Sequence, residues 1–115
     1  MFVGVGIVEI YIADSRSLKD KRGAVKSLMR RTQNEFNISI AEVGANDDWK
    51  RGEIGFCVVG NDQRFVNSKL DKVLRFMEGL YLAEIVGSRF EITSFVDTVE
   101  TMGRRVAEFD EFQEV

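Results

Sequence analysis

The sequence of 115 residues contains no histidine, one cysteine and no long apolar run. Without histidine, the commonest general base near neutral pH and the commonest metal ligand are both missing. The single cysteine, Cys57, excludes an internal disulfide, and its apolar neighbours predict a buried, unreactive thiol. No segment approaches the roughly 18 apolar residues that a membrane helix requires. These absences argue against an enzyme and predict a cytoplasmic protein with no membrane partner.

Motifs for cofactors and metals are also missing. The sequence has no Walker loop, no dinucleotide-binding glycine pattern and no nucleophile elbow. The polar residues Asn46, Asp47 and Asp48 match no known spacing of metal ligands, and turn chemistry explains them. We therefore expect no cofactor and no metal.

Charge is distributed unevenly along a composition that is otherwise typical of a globular domain. The chain is 44% hydrophobic and 30% charged, with a formal net charge of -3. Residues 97–115 contain six acidic and two basic side chains, a net charge of -4, which leaves +1 for residues 1–96. The acidic character therefore belongs to the C-terminal segment.

The hydrophobic pattern predicts an α+β domain over residues 1–96. Alternation predicts strands over residues 2–12, 37–45, 52–60 and 83–95, the last with a bulge at Gly87. Helical spacing predicts helices over residues 18–36, with Ser17 as N-cap and Asp20 in a variant capping box, and over 64–79, with Gly79 as C-cap. The order β-α-β-β-α-β is that of the ferredoxin-like split βαβ fold, a four-stranded antiparallel sheet with two helices on one face.

Residues 97–115 form a predicted acidic, amphipathic extension of this domain. Its apolar residues recur every three or four positions: Val99, Met102, Val106, Phe109 and Phe112. This spacing predicts a helix that covers apolar surface in its own chain or in a partner. The alternative is a partly frayed terminus.

Three segments, SRSLKDKRGAVKSLMRR, FNISIAEVGANDDWKRGEIGFCVVGND and LDKVLRFME, resemble the YlxP-like family, a bacterial domain of unknown function. The resemblance covers about residues 1–95, and SLKDKR together with AEVG is its most specific part. It implies a ferredoxin-like fold. It also implies an association with RNA or the ribosome, because genes of this family often lie beside those of translation and ribosome-maturation factors.

A row of basic residues runs along one side of the first predicted helix. Steps of three, four and four residues place Lys19, Arg22, Lys26 and Arg30 on one ridge, and Arg16 and Lys21 flank its start. Each cation in a first helical turn costs about 0.3–1 kcal/mol at low salt because it opposes the helix dipole. A bound phosphate would instead be held by the free N–H groups and the cations together. The pattern predicts a phosphate-backbone site; a solvated helix face is the alternative.

The sheet face away from the helices is predicted to be apolar. On the first strand its residues are Val3, Val5, Ile7, Glu9 and Tyr11, whereas on the third strand the alternation does not decide between Phe56 and Cys57. The paired aromatics of RNA-recognition domains are absent. We therefore expect this face to form a homodimer or to lie beneath the C-terminal segment.

Trp49, Lys50 and Arg51 follow one another in the predicted turn between the second and third strands. Packing of Trp49 over a core edge or a dimer partner is the favoured interpretation, and stacking on a base beside two cations is the alternative. Acylphosphatase-like chemistry through Arg16 is a minor alternative, because the glycine-rich cradle is absent. The sequence thus predicts a non-enzymatic RNA- or ribosome-associated binding protein, against a protein-interaction module without a nucleic-acid role.

Overall fold

The computed structural model describes residues 1–96 and confirms the predicted order of elements. These elements are β1 (Phe2–Tyr11), α1 (Leu18–Glu35), β2 (Ser39–Gly44), β3 (Arg51–Gly60), α2 (Gln63–Gly79) and β4 (Glu84–Ser94). Among the described residues, no helix is long and apolar enough to cross a membrane. The amphipathic extension predicted for residues 97–115 lies outside the described part of the chain.

The four strands form one antiparallel sheet in the order β2-β3-β1-β4, which confirms the ferredoxin-like arrangement. Alternate residues of the central strands face the helices and are buried. The core unites side chains from β1, β3 and both helices: Val8, Ile10, Ile54, Phe56, Val58, Val25, Leu28, Val66, Leu70, Val73 and Met77. This alternation settles the third strand, because Phe56 faces the core and Cys57 the open side.

Gly4 allows α2 to pack closely on β1. A Cβ atom at this position would lie 2.6 Å from a methyl carbon of Val66 and 2.8 Å from one of Leu70. Any larger residue there would push the helix away from the sheet.

The start of α1 confirms the predicted cap. The Ser17 hydroxyl accepts a hydrogen bond from the Asp20 backbone N–H at 3.0 Å. The Asp20 carboxylate in turn accepts from the backbone N–H of Arg16 at 3.1 Å, one residue earlier than in the usual capping box. Both bonds fix the loop that leads into the helix.

Two helix ends differ from the predictions. Phe36, predicted as helical, is the extended C-cap of α1, and its ring meets that of Phe76 edge-on at 5.5 Å. Gly79 does not cap α2: it is the last helical residue, Leu80 is the C-cap, and Tyr81 takes the left-handed conformation with φ of 54°. The chain therefore reverses two residues later than a glycine cap would require.

Both edge strands carry a bulge at the same level of the sheet. Glu9 pairs with Gly87 and Ile10 with Ile85, so Val86 is the extra residue of β4, beside the predicted bulge position. On β2, the register shifts between Glu42 and Gly44.

Candidate nucleic-acid interface

The basic ridge, defined as Lys19, Arg22, Lys26 and Arg30, lies on the solvent side of α1. All four residues are exposed. Within residues 1–96, none of their side chains makes an ion pair or a hydrogen bond. The opposite side of the helix, which includes Val25, Leu28 and Thr32, packs into the domain. The ridge is thus an unneutralised positive strip about 16 Å long, from a rise of about 1.5 Å per residue.

Lys21 does not belong to this surface, which corrects its predicted place beside the ridge. Its side chain is fully buried, and its ammonium lies 2.9 Å from Oε2 of Glu42. The same ammonium donates to the backbone carbonyls of Ala45 at 3.0 Å and Asn46 at 3.3 Å. All three donors are therefore used inside the protein, and none remains for a phosphate.

The sequence does contain a signal for this buried lysine. Lys21, Val25, Leu28 and Thr32 follow steps of four, three and four, which is the buried stripe of α1. A lysine in such a stripe requires an acidic or carbonyl partner, because an unpaired buried ammonium is costly. Its partner, Glu42, lies on β2 and is brought near only by the fold.

The turn between β2 and β3 is held by its own polar groups. The Asp48 carboxylate accepts hydrogen bonds from the backbone N–H groups of Lys50 at 2.9 Å and Arg51 at 3.0 Å. These bonds, together with the positive charges of Arg51 and Lys21, lower the pKa of Asp48. Ala45, at the start of the turn, has a positive φ of 56°. Asp48 thus serves the turn, and residues 1–96 contain no cluster suited to a metal ion.

The same turn contacts the loop between β1 and α1. The backbone N–H of Ile12 donates to the Lys50 carbonyl at 2.8 Å, and the Lys50 ammonium donates to the Ala13 carbonyl at 2.7 Å. Arg16 lies exposed in this loop. The guanidinium of Arg51 lies 5.8 Å from the centre of the Tyr11 ring, on the open face of the sheet. Lys50 and Arg51 therefore lie on different sides of the turn.

Trp49 is half exposed, with 50% of its surface accessible. It is not one of the buried core residues or of the partly buried side chains packed against them. Packing of Trp49 over a core edge or a dimer partner and its stacking on a base both stay predictions.

The open face of the sheet, defined as the side opposite the helices, divides into a charged part, which includes Glu9, Glu53 and Arg89, and an apolar part. Glu9 and Glu53 lie directly opposite each other on β1 and β3. The apolar part exposes Val5 and Val59 and contains a shallow groove of about 290 Å³. The groove is lined by Val5, Ile7, Ala41, Val43, Gly55 and Cys57, among others.

Residues 3–90 match the family described as "Protein of unknown function (DUF503)". The chain belongs to this family. The DUF503 domain is 37% identical over 76 residues to the uncharacterized protein YlxP of Bacillus subtilis (strain 168), across 66% of this chain and 83% of YlxP. The two most specific segments of the predicted resemblance, SLKDKR and AEVG, meet in the structure through the Lys21–Glu42 ion pair.

Two solved structures are also similar to the DUF503 domain. The de novo designed protein Foldit4 has a TM-score of 0.47 at 13% identity, covering 84% of this chain and 100% of its own. LarC2, the C-terminal domain of a cyclometallase involved in the synthesis of the NPN cofactor of lactate racemase, has a TM-score of 0.40 at 15% identity, covering 84% of this chain and 58% of its own. Neither likeness bears on the function of this domain.

Proposed function

We propose that this DUF503 domain is a non-enzymatic binding protein that contacts RNA phosphates through the basic ridge of α1, on the ribosome or its precursors. The observation that carries the proposal is the state of the ridge cations, which are exposed and unpaired within residues 1–96. Lys21, the neighbouring cation on the inner side of the helix, is buried and paired instead.

Like charges at spacings of three and four residues repel one another along a helix. Phosphates bound along such a row replace this repulsion with attraction and release the counterions of the nucleic acid. Lys19 also lies in the first turn of α1, where a bound anion is favoured by the helix dipole. The ridge is therefore more stable with a polyanion than without one.

The open sheet face is a poorer place for RNA in this domain. Glu9 and Glu53 place two carboxylates side by side on its central strands with Arg89 beside them, so this part of the face is mixed in charge, unlike the ridge. The nearby aromatic ring, that of Tyr11, is already in contact with the Arg51 guanidinium, which lies 5.8 Å from the ring centre. The link to the ribosome rests on the gene neighbourhood of the YlxP-like proteins that this chain resembles.

Retention of nucleic acid during purification at low salt tests the proposal. We expect the wild-type protein to carry nucleic acid that is removed at high salt. The variant with Lys19→Glu, Arg22→Glu and Lys26→Glu should carry none. A matched control on α2, with Arg64→Glu, Lys72→Glu and Arg75→Glu, has the same change in charge and should still carry it. Equal retention by both variants would contradict the proposal. Crosslinking in cells, followed by sequencing, would identify the RNA.

The non-enzymatic part of the proposal has its own test. Acylphosphatase-like hydrolysis requires an arginine in the loop between β1 and α1, and Arg16 is the exposed arginine there. We expect hydrolysis of an acyl phosphate at the background rate, unchanged in Arg16→Ala. Turnover that this substitution removes would show that the domain is an enzyme.

Self-association through the open sheet face is a second candidate function. The exposed fractions of Val5, Val43 and Val59 on this face lie between 44% and 57%, and exposed apolar surface of this kind is typical of an interaction site. A second copy would bury this apolar part. We expect the wild type to sediment as a dimer and Val5→Lys as a monomer; a monomeric wild type at high concentration would refute this candidate.

A further inference from the structure

We propose that the basic ridge continues across the loop between β1 and α1 to Trp49, and that this composite surface binds single-stranded RNA with one base stacked on the indole. The inference rests on the proposed function and specifies its ligand: an RNA strand with unpaired bases. Three features of the described residues support it.

The first feature is that the turn carrying Trp49 is fixed relative to α1. The ammonium of Lys21, the fourth residue of α1, donates to the carbonyls of Ala45 and Asn46 at the start of the β2–β3 turn. At the end of the turn, the Asp48 carboxylate accepts hydrogen bonds from the backbone N–H groups of Lys50 and Arg51. The indole is therefore attached to a backbone held at both ends, so little ordering is needed when a ligand binds.

The second feature is the exposure of Trp49 at a polar position. Half of its surface is accessible, and the preceding residues in the turn are Asn46, Asp47 and Asp48. The accessible half of the indole offers apolar surface to a ligand. Nucleobases stack on exposed aromatic faces of this kind, largely irrespective of base identity.

The third feature is that cations connect the ridge with Trp49. Arg16 is exposed in the loop between β1 and α1, and the Lys50 ammonium lies against the carbonyl of Ala13 in the same loop. This ammonium has three donors, of which one is used in the structure. The strand's phosphates can thus follow Lys19, Arg16 and Lys50 before its base reaches the indole.

The geometry favours single strands over duplexes. In a duplex the base faces are covered by their neighbours, and only an end or an unpaired base exposes one. A duplex could still contact the ridge through its phosphates. Stacking on Trp49 therefore distinguishes the two kinds of ligand.

Trp49 is the only tryptophan of the chain, so its fluorescence reports on the proposed contact directly. The experiment titrates the full-length protein with a labelled single-stranded oligonucleotide of mixed sequence and with the matching duplex. Label anisotropy measures total binding, and tryptophan emission measures stacking. We expect the single strand to quench the emission and the duplex to leave it nearly unchanged.

Two substitutions complete the test. Trp49→Leu should weaken single-strand binding by roughly tenfold, whereas Trp49→Phe should keep much of the affinity, because a smaller aromatic face remains. The salt dependence should be the same in both variants, since no phosphate contact is removed.

The two proposals fail in different ways. Salt-dependent anisotropy changes without quenching, and with equal affinity in Trp49→Leu, would overturn the stacking site and leave the ridge in place. The absence of binding by either oligonucleotide would overturn both. Equal quenching by the single strand and the duplex would show that the indole contacts the backbone, and would also contradict this inference.

Discussion

Lys19 and Lys21 lie two residues apart on α1 in opposite environments. Lys19 is exposed on the basic ridge, whereas Lys21 is buried against Glu42 and two backbone carbonyls. Helical spacing from the sequence separates the two positions, but only the tertiary fold supplies the partner on β2. Prediction from sequence therefore succeeds for the ridge, whose exposure follows from the helix alone, and fails for the lysine that depends on a distant contact.

The buried pair makes a testable contribution to stability. Lys21→Met leaves Glu42 without its partner and two carbonyls without a donor, and removing one member of a buried pair typically costs about 3–5 kcal/mol. Because Glu42 is partly exposed, we expect the lower part of that range. Urea unfolding measures the change. Lys19→Met, the matched exposed control, should alter stability by less than about 0.5 kcal/mol.

A fall of the same size in both variants would show that Lys21 is no more important to the fold than a surface lysine. A neutral Lys21→Met would contradict the account of the pair.

Asp48 makes the turn sensitive to acid. Its pKa is lowered in the folded protein by the N–H groups of Lys50 and Arg51, so its contribution to stability is complete above the ordinary pKa of an aspartate. That contribution is lost as the pH falls through the lowered pKa, where protonation removes the acceptor charge. We expect Trp49 emission to change in this acidic range and to remain flat there in Asp48→Asn. An identical transition in Asp48→Asn would assign the change to other carboxyl groups.

At the level of elements, local patterns determined most of the boundaries. The Ser17 cap, the alternation of β1 and β3 and the apolar stripe of α2 are encoded by nearby residues, and all appear in the structure. The errors lie where nearby residues leave a choice open. The end of α2 is one example: Gly79 was the expected cap, yet the left-handed residue is Tyr81. The sequence left the choice between Phe56 and Cys57 open, and the burial of Phe56 in the core settles it.

The positions of Lys19 and Arg30 along α1 predict that charge reversal at the two sites has different effects on the stability of the protein. Lys19→Glu should raise the melting temperature slightly, because an acid in the first turn is favourable by about 0.3–1 kcal/mol at low salt. Arg30→Glu has the same change in charge but lies away from both helix ends, so it should not show this gain. Thermal unfolding at low and high salt measures the difference, which should shrink as salt is added. A lower melting temperature for Lys19→Glu than for Arg30→Glu would contradict the claim that the helix dipole disfavours Lys19.

At the level of the whole molecule, the two-layer packing leaves one sheet face uncovered by residues 1–96. The fold class could be predicted because the order of strands and helices admits few arrangements. The partner of the open face could not be predicted from the sequence, because an apolar surface fits a second copy, another protein or the predicted amphipathic segment equally well.

Truncation after Asp97 addresses the C-terminal segment. If residues 98–115 cover apolar surface, we expect their removal to increase dye binding and association. Burial of a large side chain is worth about 1.5–3 kcal/mol, so partial docking of several would stabilise a short helix. Removal of this acidic segment should also tighten RNA binding at low salt. The control is amide exchange over residues 98–112 in the full-length protein, where exchange at the rate of an unfolded peptide would contradict the prediction.

The central claim, a phosphate site on the basic ridge, is tested most directly by the salt dependence of RNA affinity. For single strands, the logarithm of affinity falls with the logarithm of salt concentration by about 0.7 for each phosphate contact. The four ridge cations alone predict a slope near 3, and contacts to Arg16 and Lys50 would raise it. We expect the same slope for the wild type and the α2 control variant, with binding lost in the variant with Lys19→Glu, Arg22→Glu and Lys26→Glu. Equal affinity and slope in that ridge variant and the wild type would contradict the account.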